Sequence, residues 1–240
     1  MPSKPTHLIY QAEDENGDRA QGNNDGNLDF HDAKAAVCYC HDTLITTPDG
    51  ARLVQSLLAG DLVVTRDHGA QPLRWTGQQV LDAATLRAAP HLRPILIAAG
   101  ALANGVPCQD LRVSPQHRIL MQSRIANRMT SAAEVLIAAR HLCGLPGIAE
   151  DAAHEPLSYH PLLFDRDEVM LANGAAVQSL FVGAQALRAL PRKACAEIAA
   201  PFAQLIRAAD PRSAARLLMT GRQGRKLVLL HLKSRSTCDG

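Results

Sequence analysis

Short runs of apolar residues, broken by turn residues about every ten positions, fill the middle of this chain. Thr43-Leu44-Ile45-Thr46-Thr47 precedes Pro48-Asp49-Gly50, Leu62-Val63-Val64-Thr65 precedes Asp67-His68-Gly69, and Glu168-Val169-Met170-Leu171 precedes Asn173-Gly174. Pro94–Ile97, Leu111–Val113, Arg118–Met121 and Val135–Ile137 are further runs of the same kind. Val, Ile and Leu in runs too short for a helix, bounded by Gly, Pro, Asn and Asp, predict strands. Residues 38–181 are therefore expected to form a compact all-β domain with little helix.

The flanks have a different texture. Residues 1–37 are polar, rich in Asn, Asp and Gly, and lack apolar periodicity; they read as a flexible arm. From Ala184 onward Ala, Leu and Arg dominate. Asp210-Pro211 is a good helix start, and Gly221 a good stop. A helix over Arg212–Thr220 is thus predicted within a basic extension spanning 182–240.

Composition sharpens this division. Hydrophobic residues are 47% of the 240, but aromatics only 3%, so aliphatic side chains must fill the interior. The net charge of +2 hides an asymmetry. Residues 1–37 carry three Lys/Arg against seven Asp/Glu, and residues 184–240 carry eleven against three. The basic segment has no aromatic residues at stacking spacing, so nucleic-acid binding is not expected. It reads as a solvated basic face or as a docking surface for an acceptor or a secretion partner. No apolar run is long enough for a membrane span, and no signal peptide is legible. The compartment stays open between the cytoplasm and export without a cleavable signal. A monomer is expected.

Six cysteines, at 38, 40, 108, 143, 195 and 238, are scattered unlike a small disulfide scaffold, and reduced thiols are the default reading. Cys38 stands at the start of the β domain. Some 76 residues later comes Ser114-Pro115-Gln116-His117. A thiol that attacks the carbonyl of its own preceding residue needs no substrate pocket, because the reacting atoms are already tethered. It needs a proton for the departing amide nitrogen and groups that hold the peptide. His117 is the natural donor. Pro115 favours extended backbone at Ser114, so Ser114 should close a strand and orient the scissile peptide from just before His117. The same residues also fit a plain Ser-Pro-x-His turn and a buried, inert Cys38. Both readings stand on local sequence alone.

The run Cys38-Tyr39-Cys40-His41-Asp42-Thr43-Leu44-Ile45-Thr46-Thr47-Pro48-Asp49-Gly50 resembles the opening of the Hint domain, the fold shared by hedgehog autoprocessing domains and inteins. The likeness continues through Leu57–Val63, Gln71–Gly77, Asp110–Leu120, Tyr159–Arg166 and Glu168–Gly174, and is closest to bacterial hedgehog-type domains. It implies a horseshoe-like β domain in which Cys38 is the nucleophile and Ser114 and His117 form the Ser-x-x-His pair. It also implies self-cleavage at Val37–Cys38 by an N-to-S acyl shift, with the chain's own N-terminal segment as substrate. Water, a thiol or an amine then resolves the thioester; the acceptor is unknown. His160, beside Tyr159, is a further candidate in acyl transfer.

Three positions depart from the family pattern. Asp167 stands where relatives usually have histidine, Val177-Gln178-Ser179 replaces the terminal asparagine motif, and Cys40-His41-Asp42 follows the nucleophile. Full splicing is therefore not expected. The alternative is a degenerate Hint fold acting as an interaction or calcium-linked module. Gln21–Asp32 has some EF-hand spacing, with Asn23, Asp25, Asp29 and Asp32 as candidate ligands for weak calcium binding; no other cofactor is expected. Cys38-x-Cys40-His41 with His141-x-Cys143 does not match a familiar zinc spacing. Cys40 reads more simply as a second cysteine with no role than as a thiol that exchanges with the thioester or forms a resting disulfide.

Overall fold

The computed structural model describes residues 37–152, 155–180 and 214–236. Each apolar run named above is a strand: Leu44–Thr47, Leu62–Thr65, Ile95–Ile97, Leu111–Val113, Arg118–Gln122, Glu134–Ala138 and Val169–Ala172. A six-stranded and a nine-stranded sheet carry most of the described strands, with Trp75–Thr76 and Leu162–Leu163 forming a small third pair. The all-β reading holds, as a Hint-type fold with one sixteen-residue C-terminal helix. Two short helices, Ala83–Ala88 and Arg124–Thr130, interrupt it. Asp82 and Ser123 cap them by accepting from the Thr85 and Ala126 amides.

The core lies between the sheets. Ile45, Val63, Ile97, Leu111, Ile119, Val135, Ile137 and Val177 are all fully buried within it. The strand Glu134–Ala138 is buried on both faces over Val135, Leu136 and Ile137, because the helix Gly221–Ser236 packs across it and the turn Ala139–His141 that follows it. Gly224 allows that approach. A Cβ there would sit 3.2 Å from Ile137 Cγ2 and 3.0 Å from His141 Cβ.

The helix expected over Arg212–Thr220 is not present in its described part, residues 214–220. Leu217–Leu218 is instead a strand, parallel to Glu134–Ala138, and the helix starts at Gly221. Two forces explain the shift. Arg216 reaches Asp67 through two bonds of 2.7 and 3.0 Å and Glu134 through one of 2.5 Å, pinning the segment extended along the sheet. Thr220 and Gln223 then form a reciprocal cap: the Thr220 amide donates to Gln223 Oε1 at 2.9 Å, and the Gln223 amide donates to Thr220 Oγ1 at 3.4 Å. Gly221 thus opens the helix that it was expected to close. The stretch 184–207 and the arm that carries Asn23, Asp25, Asp29 and Asp32 lie outside the described residues.

Tyr39–Cys40 runs through the middle of the six-stranded sheet. Leu111–Val113 lies on one side and Leu157–His160 on the other, in the registers Tyr39↔Val113 and Tyr39↔His160. His160 does not lie on the last hairpin. That hairpin is Val169–Ala172 with Ala175–Gln178; His160 is on the neighbour of the Cys38 strand, a long-range pairing that local sequence does not encode.

Candidate functional site

The strand Leu111–Val113 ends at Ser114, and a tight turn brings the chain to Arg118–Gln122. Inside that turn the His117 amide donates to the Ser114 carbonyl at 3.0 Å. The turn is anchored from outside by Ala139 N–H on the His117 carbonyl, at 2.8 Å, and Arg140 N–H on the Pro115 carbonyl, at 3.0 Å. Because the Ser114 carbonyl is taken by the turn, the facing Cys38 amide finds the Ser114 hydroxyl instead. Cys38 N–H donates to Ser114 Oγ at 3.0 Å, in the buried interior.

The Cys38 carbonyl is held twice. It accepts from the Ser114 amide at 3.0 Å and from His117 Nδ1 at 3.0 Å. A carbonyl only accepts, so Nδ1 carries the ring proton. Burial pushes the His117 pKa from 6.5 down to about 4, although the Cys38 and Gln178 carbonyls favour the charged ring. The imidazole is therefore neutral near pH 7. Its Nε2 is buried without a hydrogen-bond partner among the described residues. The Tyr39 ring meets the imidazole edge-on, 4.4 Å between centroids, and its hydroxyl donates to the Gln178 carbonyl at 3.1 Å.

The predicted residues Cys38, Ser114 and His117 are thus joined by direct hydrogen bonds. Their arrangement differs from the expected one in a specific way. Ser114 touches the nitrogen of the Val37–Cys38 peptide, while His117 touches the carbonyl of Cys38. His160 is not part of this cluster of bonds. Its Nε2 is 2.9 Å from Ser158 Oγ, and burial, followed by the nearby His41, lowers its pKa against the pull of the Gly77 carbonyl.

The Cys38 thiol is buried, and desolvation raises its pKa to about 12. Residues two apart on a strand share a face, and Cys38 and Cys40 accordingly pack together with Leu81, Leu86, Leu92 and Tyr159. The Cys40 thiol is pushed up by burial as well. On the other side of the Val37–Cys38 peptide, Val37 packs against Leu163, Leu180 and Trp75.

Asp167 and Gln178 join the site from the last hairpin. Asp167 Oδ2 accepts from Gln178 Nε2 at 2.6 Å and from the Ala215 amide at 2.9 Å, while Oδ1 is buried without a partner among the described residues. Burial raises the Asp167 pKa to about 6, against the lowering effect of those two bonds and of Arg118. Tyr39 and Gln178 are members of the site that motif reasoning missed. An aromatic directly after Cys38, in a chain with three tyrosines, was the available signal for the first; nothing local marked the second. No group of three or more His, Cys, Asp or Glu is gathered for a metal among the described residues. No helix among them is long and apolar enough to cross a membrane.

Comparison with known proteins agrees with this architecture. The Hint domain family model matches residues 37–184, starting one residue before the buried thiol. No curated protein matches. Among solved structures, a splice-inactive AceL NrdHF class 3 split intein is 14% identical over 60% of this chain and 99% of its own, with a TM-score of 0.40. A bacterial intein-like domain from Clostridium thermocellum is 9% identical over 61% of this chain and 100% of its own, also at 0.40. The gp41-1 intein is 13% identical over 60% and 98%, at 0.35. With a family match across most of the described β domain and a cysteine at its first strand, the chain belongs to the Hint domain family, whose fold is of the autoprocessing type.

Proposed function

We propose that the protein cleaves itself at Val37–Cys38 through a thioester, in the hedgehog manner and without full splicing. The observation that carries this reading is that both backbone polar groups of Cys38 are held by the Ser114–His117 turn. Cys38 Sγ attacks the Val37 carbonyl carbon, the C–N bond breaks, and Val37 is left as the acyl group of a thioester. The thiol loses a proton and the Cys38 nitrogen gains one, so the shift is proton-neutral overall. The nitrogen is a poor leaving group until it is protonated. Ser114 Oγ, 3.0 Å away, is the group in contact with it, and His117, which holds the same residue by its carbonyl, takes the thiol proton on Nε2 as it gives up its Nδ1 proton toward Ser114 and the nitrogen. A water, thiol or amine then attacks the thioester and releases residues 1–37.

The test uses an N-terminal fusion and mass spectrometry in hydroxylamine or dithiothreitol. Release of a fragment ending at Val37, absent in Cys38→Ala, is the expected result. A parent fusion that stays as intact as Cys38→Ala would overturn the reading. The second reading, a degenerate fold serving as an interaction or calcium-linked module, draws on the apolar burial of the Cys38 thiol. It expects no thioester and a calcium-dependent change in protease sensitivity of the arm.

A further inference from the structure

The Ser114–His117 turn grips the Cys38 side of the scissile peptide. The other side is gripped as well, by a surface to which the chemistry above gives no role. Val37 is only 6% exposed, although it lies outside any strand. Its neighbours are Trp75, Leu163 and Leu180, a cluster separate from both the main core and the Cys38–Cys40 cluster.

This seat is built from paired backbone rather than from loose side chains. Leu163 is opposite Trp75 in one strand pair and bridged to Leu180 on its other side. The Arg74 amide donates to the Leu163 carbonyl at 2.8 Å, and the Leu180 amide donates to the Leu162 carbonyl at 2.9 Å. The six-membered ring of the indole packs against Gly77. A Cβ at that position would sit 2.6 Å from Trp75 Cη2 and 2.7 Å from Cζ2, so glycine is what lets the ring settle there.

We infer that Trp75, Leu163 and Leu180 form a selectivity seat for the residue immediately before the nucleophile, accepting an aliphatic side chain of about valine size and rejecting charged ones. The inference rests on the cleavage reading and deepens it. An isolated charge in an apolar seat is strongly disfavoured, so a charged residue at position 37 leaves the seat and takes the attacked carbonyl with it. Holding both ends of one peptide is what turns the tethered thiol into a well-aimed one. Selection by an apolar seat of this kind is worth roughly 10- to 200-fold for a mismatch of one methylene.

The experiment uses the full chain with a tryptophan-free N-terminal fusion, because Trp75 is the only tryptophan in the sequence and reports the seat directly. Val37→Asp and Val37→Lys are expected to move Trp75 emission to longer wavelength and raise acrylamide quenching about twofold. They are also expected to slow hydroxylamine release at least tenfold. Val37→Ile, one methylene larger than the seat, should slow release about tenfold or more. Val37→Thr, which has the same shape and a far smaller burial cost than a charge, should slow release about threefold or more. Leu180→Ala should shrink the penalty of Val37→Asp. Unchanged emission in Val37→Asp and Val37→Thr, or release from them as fast as from the parent, overturns the seat. If the parent itself releases nothing, the cleavage reading falls, while the Trp75 emission still decides whether Val37 occupies the seat.

Discussion

His117 and Asp167 are buried within one small region and carry opposite pH penalties, which makes their pairing measurable. Burial moves His117 from 6.5 to about 4 and Asp167 from 3.8 to about 6. At ~1.4 kcal/mol per tenfold change, each displacement is worth roughly 3 kcal/mol. The signs are opposed. His117 has a depressed folded-state pKa, so its contribution is fully present above 6.5 and is lost as pH falls through 4. Asp167 has a raised folded-state pKa, so its contribution is fully present below 3.8 and is lost as pH rises through 6. Between about 4 and 6 the two changes nearly cancel in the parent. Asp167→Asn removes one side of the balance. Measured by urea unfolding in a Cys38→Ala background, which keeps every chain intact, the variant should gain on the parent by roughly 3 kcal/mol in going from pH 4 to pH 7. His117→Gln should show the opposite slope, gaining on the parent as pH falls from 6.5 to 4. Asparagine's own hydrogen bonds shift the absolute stability, so the pH slope of the difference is the readout. A difference between parent and Asp167→Asn that stays within about 0.5 kcal/mol from pH 4 to pH 7 would refute the argument.

Two further outcomes follow from single contacts. Ser114→Ala removes the acceptor of the buried Cys38 amide and should cost about 1–3 kcal/mol in unfolding. It should also slow release about 10²- to 10⁴-fold, with Ser114→Thr retaining most of the rate; alanine releasing within threefold of serine would exclude a role for the hydroxyl. Arg216→Leu breaks the bonds to Asp67 and Glu134 and should lower the thermal midpoint by about 2–4 °C for each kcal/mol lost, read by circular dichroism.

Much of this architecture can be read from the chain, and the failures have physical causes. Runs such as Leu62–Thr65 and Leu111–Val113 are strands wherever they pair, so local composition suffices. The Ser114–His117 turn is legible for the same reason, since Pro115 restricts Ser114 before any tertiary contact forms. Which atom each side chain touches is not legible. Ser114 Oγ faces the Cys38 amide because the Ser114 carbonyl has already been taken by His117 N–H, a competition visible only in three dimensions. The placement of His160 depends on a pairing about 120 residues away in the chain, with Tyr39. At Gly221 a reciprocal Thr220–Gln223 cap outweighs a local stop signal.

The hydrogen bond from the Ala215 amide to Asp167 has a practical reach. Family likeness ends at residue 184, yet Ala215, 31 positions later, supplies a donor to the Asp167 carboxylate, and Leu217–Leu218 extends the larger sheet. A gene trimmed where the likeness stops would deprive Asp167 of that donor and leave the Glu134–Ala138 strand without its outer neighbour. Anyone transplanting this domain onto a foreign cargo should carry the tail along with it.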